Sequence, residues 1–257
     1  MDHPRGTIRS RLRRAITSGA PLAFAALFAL SGAGTAAADI NGPDVASWQH
    51  DDSSIIDWFA VRNSGHEFAM IKATEGLDYI NPFFVPDTVA ARLAGVARGA
   101  YHFARPQASP EAQAAFFAAT VIGVNGPPGD LPPILDLENS GGLPPAALID
   151  WTHRFLNTVE GLTRRVPIIY TYPNFWKTAM ANTNQFIRYP LWIADYRGNA
   201  QPELVGGWPV WTFWQYTDRG VIPGIAGTTD LNFYSGAMGP LDLFSNNLSS
   251  GSGSAGS

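Results

Sequence analysis

Eight short runs of apolar or alternating residues recur along the chain, one near Asp44 and the others at 68–73, 99–104, 133–137, 166–171, 191–196, 210–216 and 229–233. Runs of this length with period-two alternation predict strands. Between several of them the period changes to that of a helix. Val89, Leu93 and Val96 are spaced for one helical face. Pro110-Glu111 opens an Ala/Phe-rich segment to about Val121, and Pro144-Pro145 opens another carrying Leu148, Trp151, Phe155, Leu156 and Val159. Proline at the first helical position suits both starts, because the N–H it lacks would be unpaired there anyway. Strands alternating with helices in this number predict an α/β fold, a single-domain irregular (β/α) barrel of TIM-like kind with about eight strands. The last runs follow one another too closely for full helices, so the helices should be incomplete at the C-terminal end.

The two ends of the chain read differently. Arg5, Arg9, Arg11, Arg13 and Arg14 precede an apolar run at 20–30 and a small-residue stretch closing on Ala36-Ala37-Ala38. This is the pattern of a signal peptide over residues 1–38, cleaved after Ala38. The apolar run is about half the ~20 residues that span a bilayer. Residues 245–257 are Ser/Gly-rich with almost no apolar side chains, which predicts a disordered tail. A single domain over 39–244 is then left, and with no sign of a second module an exported monomer is expected.

Without residues 1–38 the 17 Lys+Arg fall to 12 and the 21 Asp+Glu to 20, so the net charge moves from -4 to -8. An acidic chain with no remaining basic block argues against nucleic-acid or membrane-surface partners. The chain has no cysteine, so its stability rests on the core alone.

Candidate chemistry centres on Ile134-Leu135-Asp136-Leu137-Glu138. Residues i and i+2 of a strand face the same side, so Asp136 and Glu138 form a carboxylate pair at a strand end. Such pairs cleave glycosidic bonds, one group protonating the leaving oxygen and the other stabilising positive charge on the sugar. They also serve as plain caps or partners of arginine. At a barrel mouth, repulsion and desolvation would raise one of the two pKa values, which makes Glu138 the candidate acid. The backbones lie ~6.6 Å apart, between the retaining and inverting spacings, so spacing leaves the stereochemistry open. Asp44 and Asp230, taken alone, read as ordinary loop acids. Trp48, Tyr101, Tyr170, Trp192, Tyr196, Trp211, Trp214 and Tyr216 gather near strand ends, where sugar rings stack, although core packing accounts for most such residues. For His102 a hydrogen-bonded structural or subsite role outranks metal ligation, because no second His or Cys lies at ligand spacing. No metal is implied, and no nucleotide-binding glycine loop or serine elbow is present.

Taken in order, Asp44-Val45-Ala46-Ser47-Trp48-Gln49, Ile71-Lys72-Ala73-Thr74-Glu75-Gly76, Gly99-Ala100-Tyr101-His102-Phe103, Leu135-Asp136-Leu137-Glu138, Leu191-Trp192-Ile193-Ala194-Asp195-Tyr196, Trp214-Gln215-Tyr216 and Asp230-Leu231-Asn232 resemble glycoside hydrolase family 25, the Chalaropsis-type lysozymes or N-acetylmuramidases. The resemblance implies an irregular barrel, hydrolysis of the β-1,4 bond between N-acetylmuramic acid and N-acetylglucosamine in peptidoglycan, and no cofactor. It also implies that Glu138 is the acid/base and Asp136 its partner, with Asp44 and Asp230 as two further acids. Lys72, Glu75, Tyr101, His102, Tyr170, Trp192, Tyr196 and Gln215 would line the groove. Asp195 falls outside this set, since its position varies within the family. Pro43 and Ala46 depart from the family pattern, and a proline there would pair the strand less regularly and shift Asp44. Two rivals are a catalytically silent wall-binding protein and a chitinase-like hydrolase. The longer acidic signature of the chitinase family is absent before Glu138.

Overall fold

A computed structural model of the protein describes residues 40–50, 54–124, 130–237, 239 and 241. The expected signal peptide and Ser/Gly tail lie outside the described residues. The described chain forms strands β1 (Ile40–Val45), β2 (Phe68–Glu75), β3 (Tyr79–Ile80), β4 (Ala97–Phe103), β5 (Ile134–Asp136), β6 (Ile168–Thr171), β7 (Leu191–Ala194), β8 (Phe213–Gly220) and β9 (Thr229–Tyr234). Their order is β1-β9-β8-β7-β6-β5-β4-β2-β3, and β1 also pairs with β2. That last pairing closes eight strands into a barrel, with β3 as a short antiparallel flap on β2. Each of the eight expected runs supplies one barrel strand.

Seven of the barrel strands run parallel, while β9 is antiparallel to both of its neighbours, β8 and β1. A reversed strand needs no crossover helix. The helices are α1 (Trp58–Asn63), α2 (Phe84–Leu93), α3 (Pro110–Val121), α4 (Pro145–Thr163) and α5 (Pro173–Thr178), so the long ones precede β7 and the far side carries none among the described residues.

Alternation along the strands builds two separate cores. Phe68, Met70, Ile134, Ile168, Phe213 and Tyr234 point inward and fill the barrel. Their neighbours Ala69, Ile71, Leu135, Ile169, Leu191 and Ile193 point outward and pack under Phe117 of α3 and Leu148, Phe155 and Val159 of α4. Both helices start as expected. Ser109 caps α3 by accepting from the Ala112 N–H at 3.3 Å, and Pro145 opens α4.

Two expectations fail. The buried face of α2 is Phe84, Asp87, Thr88 and Ala91, while Val89 and Leu93 are exposed and Val96 lies beyond the helix. The polar side chain of Asp87 is drawn inward because it accepts from Trp58 Nε1 at 3.1 Å and bonds His50 Nε2 at 2.8 Å. Pro43 does not disturb its strand. The β1–β9 register runs unbroken from Ile40 to Asp44, with Pro43 opposite Leu231 and Asp44 opposite Asp230. At Gly42 the backbone of β1 approaches β2 so closely that a Cβ would stand 2.1 Å from the Phe68 carbonyl oxygen.

Candidate active site

The inward positions change character toward the carboxyl ends of the parallel strands. Apolar side chains give way to Asp44 on β1, Lys72 on β2, Tyr101 and Phe103 on β4, Asp136 on β5, Tyr170 on β6, Trp192 on β7 and Gln215 on β8. Because β9 runs the other way, it delivers its beginning, Asp230, to the same end. Glu138 lies two residues past β5 and keeps the inward phase of Asp136. Together with Ala46 and Trp48 these residues line a cleft of about 190 Å³.

Gln215 organises the floor. Its Oε1 accepts from Tyr170 Oη at 2.9 Å and from Tyr196 Oη, which fixes the amide so that Nε2 donates to Asp44 Oδ2 at 2.9 Å and Asp230 Oδ2 at 3.2 Å. Asn232 repeats the arrangement, accepting from Trp192 Nε1 at 2.7 Å and donating to Asp44 Oδ2 at 2.8 Å. Asp44 thus receives two amide donors. Lys72 Nζ donates to Glu75 Oε2 at 2.6 Å, and Glu75 Oε1 accepts from Arg105 Nε at 2.9 Å, so this chain of charges reaches the cleft only through Lys72.

All four cleft carboxyls hold their protons above the ordinary range. Burial is the largest cause in each. For Asp136 the charge of Glu138 adds to it and the group is pushed well up. Glu138 is raised by burial, with Lys72 opposing and Asp44 adding. Asp44 is raised by burial against the lowering effect of Asn232 and Gln215. Asp230 is pushed up to about 8 by burial and then by the charge of Asp44. Asp136 Oδ1 is buried with no hydrogen-bond partner among the described residues, so it is an acceptor awaiting a donor.

The structure brings Asp44, Asp136, Glu138, Asp230, Lys72, Tyr101, Tyr170, Trp192 and Gln215 to this one cleft. Tyr196 lines an adjoining hollow that shares Glu138 and Tyr170 with the cleft. Glu75 stands behind Lys72 and does not line the cleft, contrary to expectation; burial opposes its ionisation, but Lys72 and Arg105 hold its carboxyl below the usual range. His102 is a second correction. It points outward, fully buried, with Nδ1 2.8 Å from Thr74 Oγ1, Nε2 3.0 Å from Gln113 Oε1, and its ring packed against Phe117 and Phe155. A strand cannot aim adjacent residues at the same side, and Tyr101 takes the inward position. Burial lowers the His102 pKa to about 4, so the ring is neutral and structural.

Sequence reasoning assigned no role to Asn232, although its spacing of two from Asp230 was the available signal. It also missed Phe103 and the charged residues of the adjoining hollow. Among the described residues no group of three or more His, Asp or Glu side chains is arranged to hold a metal ion.

Residues 43–225 match the family profile described as glycosyl hydrolases family 25. The chain is 37% identical over 216 residues to lysozyme M1 of Streptomyces globisporus, covering 81% of this chain and 72% of that protein. It is 35% identical over 190 residues to the N,O-diacetylmuramidase of a Chalaropsis species, covering 70% and 88%. In three dimensions it resembles the crystal structure of a bacterial lysozyme from Streptomyces coelicolor, with a TM-score of 0.77, 35% identity and coverage of 82% of this chain and 99% of that one. With the profile spanning most of the barrel, the chain belongs to glycosyl hydrolases family 25 and is a glycoside hydrolase.

Proposed function

We propose that the protein is an exported muramidase that cleaves the β-1,4 bond between N-acetylmuramic acid and N-acetylglucosamine in bacterial peptidoglycan. The observation that carries this reading is the meeting of Asp136 and Glu138 with Asp44 and Asp230 in one aromatic-lined cleft. The lysozyme and diacetylmuramidase names of its relatives support the substrate, and the arginine-led apolar run at the start of the chain supports export.

Glu138 is the proton donor. It stands where the cleft and the adjoining hollow meet, so a glycan running through both places a bridging oxygen beside it. Burial keeps it protonated above the range of a free glutamate, as an acid working near neutrality requires. Asp136, with Oδ1 free, accepts from the N–H of the substrate's 2-acetamido group and turns that group's oxygen toward the anomeric carbon. In this scheme the acetamido oxygen is the nucleophile, and the negative charge of Asp44 stabilises the oxocarbenium-like transition state. Tyr101, Tyr170 and Trp192 supply ring faces and hydroxyls along the cleft, and Lys72 holds Glu75 away from it.

Glu138→Gln tests the assignment. The amide cannot give up the proton, so release of reducing ends from purified cell walls should fall by at least ~100-fold, with the unfolding midpoint no lower than that of the wild type. In the wild type the rate should decline as pH rises through the raised Glu138 pKa, since the active form is protonated. Wild-type rates in the variant would refute the role. A wild type that co-sediments with walls and releases nothing would favour the silent binder.

A further inference from the structure

The adjoining hollow has a volume of about 530 Å³ and begins at Glu138 and Tyr170. Its chemistry differs from that of the cleft. Where the cleft offers aromatic rings and carboxyls, the far wall of this arm carries two cations and two anions, Lys177, Arg197, Asp195 and Glu203.

These four charges are held unequally. The buried Asp195 carboxylate accepts from Arg197 Nε at 2.8 Å, Arg197 Nη2 at 2.6 Å and the Glu203 backbone N–H at 2.9 Å. That bidentate grip fixes the plane of the guanidinium against the arm. The Glu203 carboxylate, by contrast, is held through exposed ion pairs. It reaches Arg197 Nη2 at 3.0 Å and also pairs with Lys177 Nζ, yet the side chains of Lys177, Glu203 and Arg197 are 44%, 32% and 55% exposed. Ion pairs so open to water contribute little to stability. An incoming carboxylate can therefore take the place of Glu203 on both cations without breaking the Asp195–Arg197 anchor.

The geometry points to this arm as the binding site for the peptide stem of the muramic acid residue, an acidic or zwitterionic peptide whose carboxylates exchange with Glu203 on Lys177 and Arg197. This rests on the muramidase reading. In that reaction the sugar attacked at its anomeric carbon is N-acetylmuramic acid, and its bridging oxygen lies at Glu138. The same ring bears the lactyl ether from which the stem grows. A charged arm that starts at the proton donor is placed to take that substituent. A neutral, unsubstituted glycan has no group to engage these charges.

Two soluble substrates separate the possibilities, glycan oligomers that carry stems and the same oligomers stripped by an amidase, with the lactyl carboxylate that this frees capped as a neutral methylamide. For the wild type, kcat/KM should favour the stem-bearing oligomers by ~10-fold. Lys177→Ala should lower that ratio by ~5-fold, mainly through KM. Glu203→Gln should raise it by removing the competing carboxylate, and a purely structural role for the pair would not give opposite signs. A wild-type ratio near one, or a ratio unmoved by both substitutions, overturns the stem site while leaving the muramidase intact. No hydrolysis of either substrate by the wild type removes both.

Discussion

Replacing Asp230 with asparagine should make the protein more stable as the pH rises, and less active. Asp230 faces Asp44 across the β1–β9 pair and is pushed up to about 8, by burial first and the Asp44 charge second. The pair shares one proton. It sits on Asp230, because the Asp44 carboxylate, although the more buried of the two, already accepts from both Gln215 and Asn232. In the unfolded chain the group ionises at 3.8. A carboxyl whose folded pKa exceeds its unfolded one stabilises the fold fully below the unfolded value, and that contribution is lost as pH climbs through the folded one. Each unit between 3.8 and about 8 corresponds to about 1.4 kcal/mol, which sets a ceiling of ~5 kcal/mol at pH 8. Water at the open side of the cleft and the proton shared with Asp44 reduce the expected figure to ~2 kcal/mol. Asparagine mimics the protonated form, donates to Asp44 and still accepts from Gln215. Urea unfolding at pH 4, 6 and 8 should show the variant within a few tenths of a kcal/mol of wild type at pH 4 and ahead by ~2 kcal/mol at pH 8. A difference that does not grow with pH refutes the shared proton. Full hydrolytic activity in the variant would remove Asp230 from the reaction.

Two further substitutions probe the scaffold. His102→Leu leaves Thr74 Oγ1 without its buried side-chain partner and Gln113 Oε1 with the Arg105 N–H alone, which should cost ~1–2 kcal/mol in denaturant unfolding. The KM of the folded variant should stay at the wild-type value, and a large rise in KM would return His102 to the groove. Gly42→Ala forces a methyl to within 2.1 Å of the Phe68 carbonyl oxygen, so β1 and β2 must part. A loss of about 3 kcal/mol is expected, and an unmoved thermal midpoint would show that the seam can relax.

The barrel and the Asp136–Glu138 pair were legible in the sequence because strand alternation is local, whereas most of the other cleft residues came through the family likeness. Asp136 and Glu138, two apart, had to share a side wherever the strand went. The same rule separates His102 from Tyr101, and the family likeness obscured it by naming both. Elements set by long-range contacts were not legible. The β3 flap has two residues, and α1 and α5 have six each, too few for a period to emerge. The direction of β9 depends on its pairing with β1, nearly two hundred residues earlier in the chain. Val89 and Leu93 mimic a core face on α2, but the hydrogen bonds of Asp87 to His50 and Trp58 turn the helix the other way.

The reversal of β9 has a consequence for when the enzyme comes into being. Its first residues meet the last residues of β1, so the earliest and latest strands of the barrel supply facing acids to one cleft. A chain still emerging from the ribosome, or clipped ahead of residue 229, holds Glu138 and Asp136 on an open sheet without their counterpart. On the proposed assignment the full set of acids is therefore assembled only when the final strand pairs with the first.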